Sequence, residues 1–160
     1  MMKKIFPYII IAVTLGLDQI VKLLVRQSMY IGESIPIIKG IFYITYIENQ
    51  GVAFGLFSGH TEMLVVLSIL ILIGLLIFMW REKSHSLCLQ YGVALIVAGA
   101  LGNIIDRVMK ASVTDMFDFR IWPIFNIADI VVCIGFLLLV IYLLFSSEDK
   151  SGESQNSNSK

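Results

Sequence analysis

The chain has 160 residues, of which 58% are hydrophobic and only 15% charged, with a mean hydropathy of +0.86. A soluble globule carries about 25% charged residues, so this composition belongs to a membrane protein. Twelve basic and twelve acidic residues cancel, which leaves no bulk positive charge to hold nucleic acid.

The first charge-free run, Ile5 to Leu17, continues past Asp18 toward Val25. Lys3 and Lys4 ahead of it also fit a secretory signal peptide. No small-residue cleavage site follows, however, and Asp18 falls where it would be, so a retained helix over 5–25 is expected. Asp18 and Lys22 are four apart and share a helix face, with the acid on the N-terminal side, the better order for a pair. They read either as a self-neutralising structural pair or as part of a site.

Residues 34–57 hold "IPIIKGIFYITYIENQGVAFGLF", rich in isoleucine and aromatics and punctuated by Pro36, Gly40, Gly51 and Gly55. Such residues suit a pleated surface, which predicts two or three short strands at the membrane interface, where Tyr43 and Tyr46 fit an aromatic belt. Asn49 sits in the turn-prone "ENQG" and reads by itself as a loop residue.

Apolar runs over 62–80 and 86–105 are separated by a short connection from Arg81 to about His85. Each is long enough for a bilayer core, which needs about 20 helical residues. At the end of the third run, Gly99 and Gly102 permit a close approach by a helix or a substrate. Asn103, Asp106 and Arg107 follow at offsets of three and four, so Asn103 faces the same way as both charged residues. Asp106 and Arg107 either mark where the helix meets water or support a site.

The loop from Asp106 to Phe125 carries Asp115 and Asp118, and "FNIAD" then opens the last run, 127–146. Asn126 is a good N-cap, and Asp129 stands at the third helical position, where the helix dipole favours an acid. That accounts for one aspartate and leaves Asp115 without a task. Two carboxylates meeting at a low-dielectric boundary do not both ionise easily; one keeps a proton while the other can take one from water. The polar tail 147–160 reads as disordered. Cys88 and Cys133 lie in apolar runs as packing residues, and no spacing supports a metal site or a disulfide.

Taken in order, "DQIVK" (18–22), "ENQGVAFG" (48–55), "GALGNIIDR" (99–107), "VTDMFDF" (113–119) and "FNIAD" (125–129) resemble the motifs of the lipoprotein signal peptidase, or signal peptidase II, family. The resemblance spans nearly the whole chain apart from the tail. It implies an all-α integral membrane protein whose single domain, residues 1–146, has four transmembrane helices and a small extracytoplasmic β-sheet between helices 1 and 2. The implied activity is that of a bacterial inner-membrane aspartic endopeptidase, which removes signal peptides from prolipoproteins by cutting before a diacylglyceryl-modified cysteine.

Carried over by position, Asp115 and Asp129 match the catalytic pair. Asn103, Asp106, Arg107, Asn126 and Ala128 match residues that support the pair, and Asp18, Lys22 and Asn49 match further motif residues around the site. The resemblance also implies a mobile loop within 34–57, cytoplasmic termini and a site toward the outer leaflet; no cofactor or metal is expected, and the chain is expected to work as a monomer among membrane lipids. Basic-residue counts alone hardly decide the orientation. Thr114 departs from a position where an aliphatic residue is common, and Asp118 receives no catalytic role.

Two rival classes are weighed against this. In a transporter or channel, intramembrane acids would carry protons or ions, but here the acids gather at one side instead of stepping across the midplane. A non-catalytic scaffold leaves the Asn–Asp sets without a task. Metal-dependent proteolysis has no H-E-x-x-H motif, and His60 and His85 are isolated.

Overall fold

The computed structural model describes residues 2–51, 56–82 and 86–157, with the side chains of 2–4 and 146–157 excepted. Its elements in chain order are α1 (Met2–Ser28), β1 (Ser34–Ile38), β2 (Phe42–Asn49), α2 (Thr61–Arg81), α3 (Leu87–Lys110), β3 (Val113–Asp118) and α4 (Ile127–Ser157). Each helix contains a stretch long and apolar enough to cross a bilayer. Lipid offers no partners to backbone N–H and C=O groups, so such stretches close their hydrogen bonds internally as helices. Large apolar side chains therefore stay exposed around the bundle, among them Val13 and Leu24 of α1, Leu70 of α2 and Leu144 of α4. In hydrocarbon such exposure carries no penalty.

Helix α3 is the centre of the bundle and packs against α1, α2 and α4. The contact with α4 depends on missing side chains. A Cβ on Gly99 would strike the Ala128 carbonyl oxygen, and one on Gly92 would lie 2.9 Å from the Gly135 carbonyl oxygen. The closeness expected at Gly99 is thus used by a helix. At the far end of the bundle from the sheet, Leu89, Val93 and Tyr142 form an apolar cluster that also takes in Cys88.

The sheet is antiparallel, in the order β1-β2-β3. Two strands come from the connection between α1 and α2, as expected. The third, β3, comes instead from the loop between α3 and α4. Sequence pattern hid it, because Asp115 and Asp118 are poor strand residues, while pairing with β2 supplies the backbone partners that offset their preference. Val25, Tyr46 and Met116 seal the sheet against the end of α1. Ala111, left-handed at φ 56, ends α3, and its carbonyl accepts a hydrogen bond from Thr61 Oγ1 at 2.8 Å, tying the start of α2 to the same end of the bundle.

Helix α4 continues to Ser157, through most of the tail that composition reads as disordered; a helix already formed upstream extends at little cost per residue. Val52 to Gly55, part of the 34–57 stretch in which a mobile loop was expected, fall outside the described residues, as do residues 83–85 of the short connection between α2 and α3.

Candidate active site

Both sequence-selected aspartates reach one cavity of about 370 Å³ at the sheet end of the bundle. Asp115 is brought there by β3, whose pairing with β2 sets it opposite Ile47. Asp129 is brought there by the first turn of α4. Asn49, Asn103 and Arg107 complete the polar part of the wall, while Trp122, Pro123, Ile124 and Phe125 make the apolar part. A larger cavity of about 560 Å³ lies between the start of α2 and the end of α3, but among the described residues Glu62 is the only acid in its lining. Size does not select the site; the paired acids do.

Asparagine side chains hold the two carboxylates. Asn126 Nδ2 donates to Asp115 Oδ1 at 2.6 Å, and Asn49 Nδ2 donates to Asp115 Oδ2 at 2.9 Å. Asn103 Nδ2 donates to Asp129 Oδ1 at 2.8 Å, and the Asn126 backbone N–H donates to Asp129 Oδ2 at 3.1 Å. Asn126 therefore touches both acids. Burial, and secondarily the neighbouring Asp129 charge, push Asp115 up to about 7, although the two amide donors pull the other way.

Beneath the acids lies a buried ionic layer. Lys22 is fully buried, and its ammonium group meets Asp18 Oδ2 at 3.0 Å, Asp106 Oδ2 at 3.2 Å and Asn103 Oδ1 at 3.0 Å. Three acceptors match its three N–H donors. Asp18 and Lys22 do pair, yet they are not a self-contained couple, because Lys22 also joins α1 to α3. Asp18 Oδ1 accepts the Ala128 backbone N–H at 3.0 Å, which joins α1 to α4 as well. Ala128 is itself completely buried. Asp106 accepts the Thr114 backbone N–H at 3.1 Å and so anchors β3 one residue before Asp115.

Arg107 Nη2 donates to the Gly51 carbonyl at 2.9 Å. Its Nε is buried and has no partner among the described residues. Asn49 Oδ1 accepts the Gly51 N–H at 3.0 Å, so the strand end next to the acids is held from two sides.

Several participants escaped the sequence reading. Arg26 reaches Asp106 Oδ1 at 3.5 Å and Thr114 Oγ1 at 3.2 Å. It lies four residues beyond Lys22, on the face already marked by Asp18 and Lys22, so that spacing was an available signal. Glu48 accepts from Tyr46, Thr114, Lys110 and Ser112. Burial alone would raise its pKa, but the donors from Ser112 and Tyr46 and the Lys110 charge hold it below the ordinary value. Thr114 is fully buried and joins Glu48, Lys110 and Arg26 through its hydroxyl. Cys133, expected as a packing residue, instead lines the cavity one helical turn beyond Asp129. Asp118 is not in the cavity wall.

The family described as signal peptidase (SPase) II matches residues 10–145. The lipoprotein signal peptidase of Halothermothrix orenii is 44% identical over 136 residues, which cover 85% of this chain and 93% of that one. The lipoprotein signal peptidase of Pelotomaculum thermopropionicum is 41% identical over 150 residues, covering 94% of this chain and 98% of that one. A solved structure described as a bacterial membrane enzyme, determined by the in meso method at 2.3 Å resolution, is similar with a TM-score of 0.84 and 36% identity, covering 91% of each chain.

Proposed function

The chain belongs to the signal peptidase II family, and from that membership we propose that Asp115 and Asp129 are the catalytic pair through which it acts. It is a multi-pass bacterial membrane enzyme, an aspartic endopeptidase that removes signal peptides from prolipoproteins. The observation that carries the assignment of the pair is that Asn126 bonds both carboxyl groups at the wall of one cavity.

In the proposed cycle Asp115 enters protonated and donates a hydrogen bond to the scissile carbonyl oxygen. Asp129 enters ionised and removes a proton from the attacking water as its oxygen bonds to the carbonyl carbon. The resulting tetrahedral intermediate collapses when the carbon–nitrogen bond breaks and the leaving amine takes a proton from the pair. One acid and one base are present at the start and again at the end. Arg107 Nε, a buried donor without a partner among the described residues, supports a role in binding a substrate carbonyl. Asn49 and Asn103 orient the acids, while Asp18, Lys22, Asp106 and Ala128 form the platform that holds three helices in register beneath them.

The substrate's modified cysteine keeps its acyl chains in the bilayer, and extracting them would cost about 0.8 kcal/mol per methylene. A cavity at the end of a transmembrane bundle avoids that cost. We place the termini in the cytoplasm and the site toward the outer leaflet. This is supported by the position of the sheet and both acids at the end of the bundle opposite the chain termini. The enzyme is proposed to act as a monomer among membrane lipids, since one chain supplies both acids.

Cleavage of a diacylglyceryl-modified prolipoprotein, followed on a processing gel, tests the pair. Asp115→Asn and Asp129→Asn should each insert normally and leave the precursor uncut. Normal processing by either variant would overturn the assignment.

A further inference from the structure

Asp118 ends β3 and is nearly buried at 4% exposure, yet it stands outside the cavity wall. Its partners form a closed circuit across the sheet. Thr45 Oγ1 donates to Asp118 Oδ2 at 2.8 Å. Arg120 Nη2 donates to Ser34 Oγ at 2.6 Å, and Ser34 Oγ lies 2.7 Å from Thr45 Oγ1. Since the Thr45 proton is committed to Asp118, the Ser34 hydroxyl donates to Thr45. Arg120 Nε, 3.4 Å from Asp118 Oδ2, completes the ring. The Arg120 guanidinium also lies 3.8 Å from the centroid of the Tyr43 ring. All three strands and the loop after β3 thus meet in one clasp.

That clasp holds a strained backbone. Arg120 has φ 65, a left-handed conformation that a side chain disfavours, and its N–H is fixed by Asp118 Oδ1 at 2.8 Å. The loop is closed at its far end, where Phe117 and Phe125 exchange backbone hydrogen bonds of 2.8 and 3.2 Å. Phe119 stacks on Phe125, with ring centroids 6.0 Å apart, and packs on Phe42 at 4.8 Å. Between these anchors the chain turns so that Trp122, Pro123 and Ile124 line the cavity that holds Asp115 and Asp129. Strain maintained by so many partners marks a shape that the surroundings over-determine.

We propose that the Asp118–Arg120 clasp makes residues 119–125 a preformed apolar lip of the cavity, which takes an apolar side chain of the substrate peptide against Trp122, Pro123 and Ile124. The inference rests on the catalytic reading of that cavity. Asp118 and Arg120 are positioning residues that act through the lip and do not touch the reacting atoms. A preformed wall lowers the ordering cost of binding, so the clasp acts on substrate affinity and leaves the acids unaltered.

The test is steady-state cleavage of a diacylglyceryl-modified prolipoprotein by the full chain in mixed phospholipid–detergent micelles. Arg120→Ala and Asp118→Ala should each raise KM roughly tenfold, the scale of a lost charged hydrogen bond, with kcat held within about twofold. The double variant should be no worse than the poorer single one, because one circuit is broken only once. Trp122→Ala should raise KM in the wild-type background and add little to Arg120→Ala. The pH profile of kcat should not move. An unchanged KM for Arg120→Ala, additive losses, or an equal fall in kcat would overturn the proposal. Should Asp118→Ala not insert, Arg120→Ala and Trp122→Ala decide the matter, since Arg120 is 45% exposed and Asp118 keeps the Thr45 hydroxyl and the residue-120 backbone N–H as donors without the Arg120 side chain. Wild-type cleavage that Asp115→Asn abolishes keeps the catalytic reading intact whichever way the clasp falls.

Discussion

Asn126 and Asp129 cap each other. The Asn126 N–H donates to Asp129 Oδ2 at 3.1 Å, and the Asp129 N–H donates to Asn126 Oδ1 at 3.0 Å. This is a capping box at the start of α4, built from one of the proposed catalytic acids. The capping and catalytic readings of Asp129 are therefore compatible, since the cap holds the carboxylate that faces the cavity. Asn126 uses its remaining amide N–H groups on Asp115 Oδ1 and Asn103 Oδ1.

Asn126→Ala removes a donor from Asp115 and the acceptor for the Asp129 N–H together. Each of these bonds is worth about 0.5–1.5 kcal/mol, so kcat/KM should fall roughly ten- to a hundredfold while membrane insertion persists. Prolipoprotein cleavage with purified variant reads this directly, and activity near wild type would contradict the shared role of Asn126.

The pH dependence follows from Asp115. Its folded value, raised to about 7 from 3.8, keeps the donating acid form below that point, so kcat should decline as pH rises through about 7. Asn49→Ala deletes an amide donor that favours the carboxylate. The pKa then rises further, and the alkaline limb should move up by roughly one unit. Linkage has the same sign. Between 3.8 and about 7 the folded state retains a proton that the unfolded chain has lost, so stability should decrease with rising pH across that window. A limb that moves down on Asn49→Ala would reverse the assignment of Asp115 as the acid.

Lys22→Met leaves Asp18 and Asp106 buried without the cation that joins them. Breaking a buried pair from one side costs roughly 3–5 kcal/mol, which a thermal melt in detergent should register as a large fall in Tm. Adding Asp18→Asn should recover part of the loss, because one uncompensated charge goes with it.

Gly99→Val tests the helix contact. The new side chain meets the Ala128 carbonyl and the side chains of Val131 and Val132. Overpacking of this kind costs roughly 1–3 kcal/mol and pushes α4, with Asp129, away from α3. Activity should drop more steeply than Tm, and Gly99→Ala should be milder in both.

Chelation should leave cleavage intact. All four oxygens of Asp115 and Asp129 accept N–H donors, which occupy directions a cation would need. Strong inhibition by EDTA, reversed by a divalent metal, would refute this account of the water activation.

The four apolar spans were legible because a bilayer demands about 20 helical apolar residues from each crossing, and no tertiary contact is needed to impose that. The capping position of Asp129 was legible for the same local reason. Gly99 could be read as a point of close approach, though not that α4 would occupy it.

What stayed hidden is non-local. In β3 two aspartates among six residues offset the strand preference of Val113, Thr114 and Phe117, and pairing with β2 makes it a strand. Arg26, Glu48 and Thr114 enter the site through partners on other elements, up to 88 positions away in the case of Arg26 and Thr114. Asp118 looked like a spare acid until the sheet set it beside Thr45 and Arg120. Local chemistry along the chain determined how many times it crosses the membrane and which residue types wait at the crossings. Which acids meet, what holds them, and what shapes the wall around them were decided only when distant segments closed on one another, because a hydrogen bond depends on distance in space and not on separation along the chain.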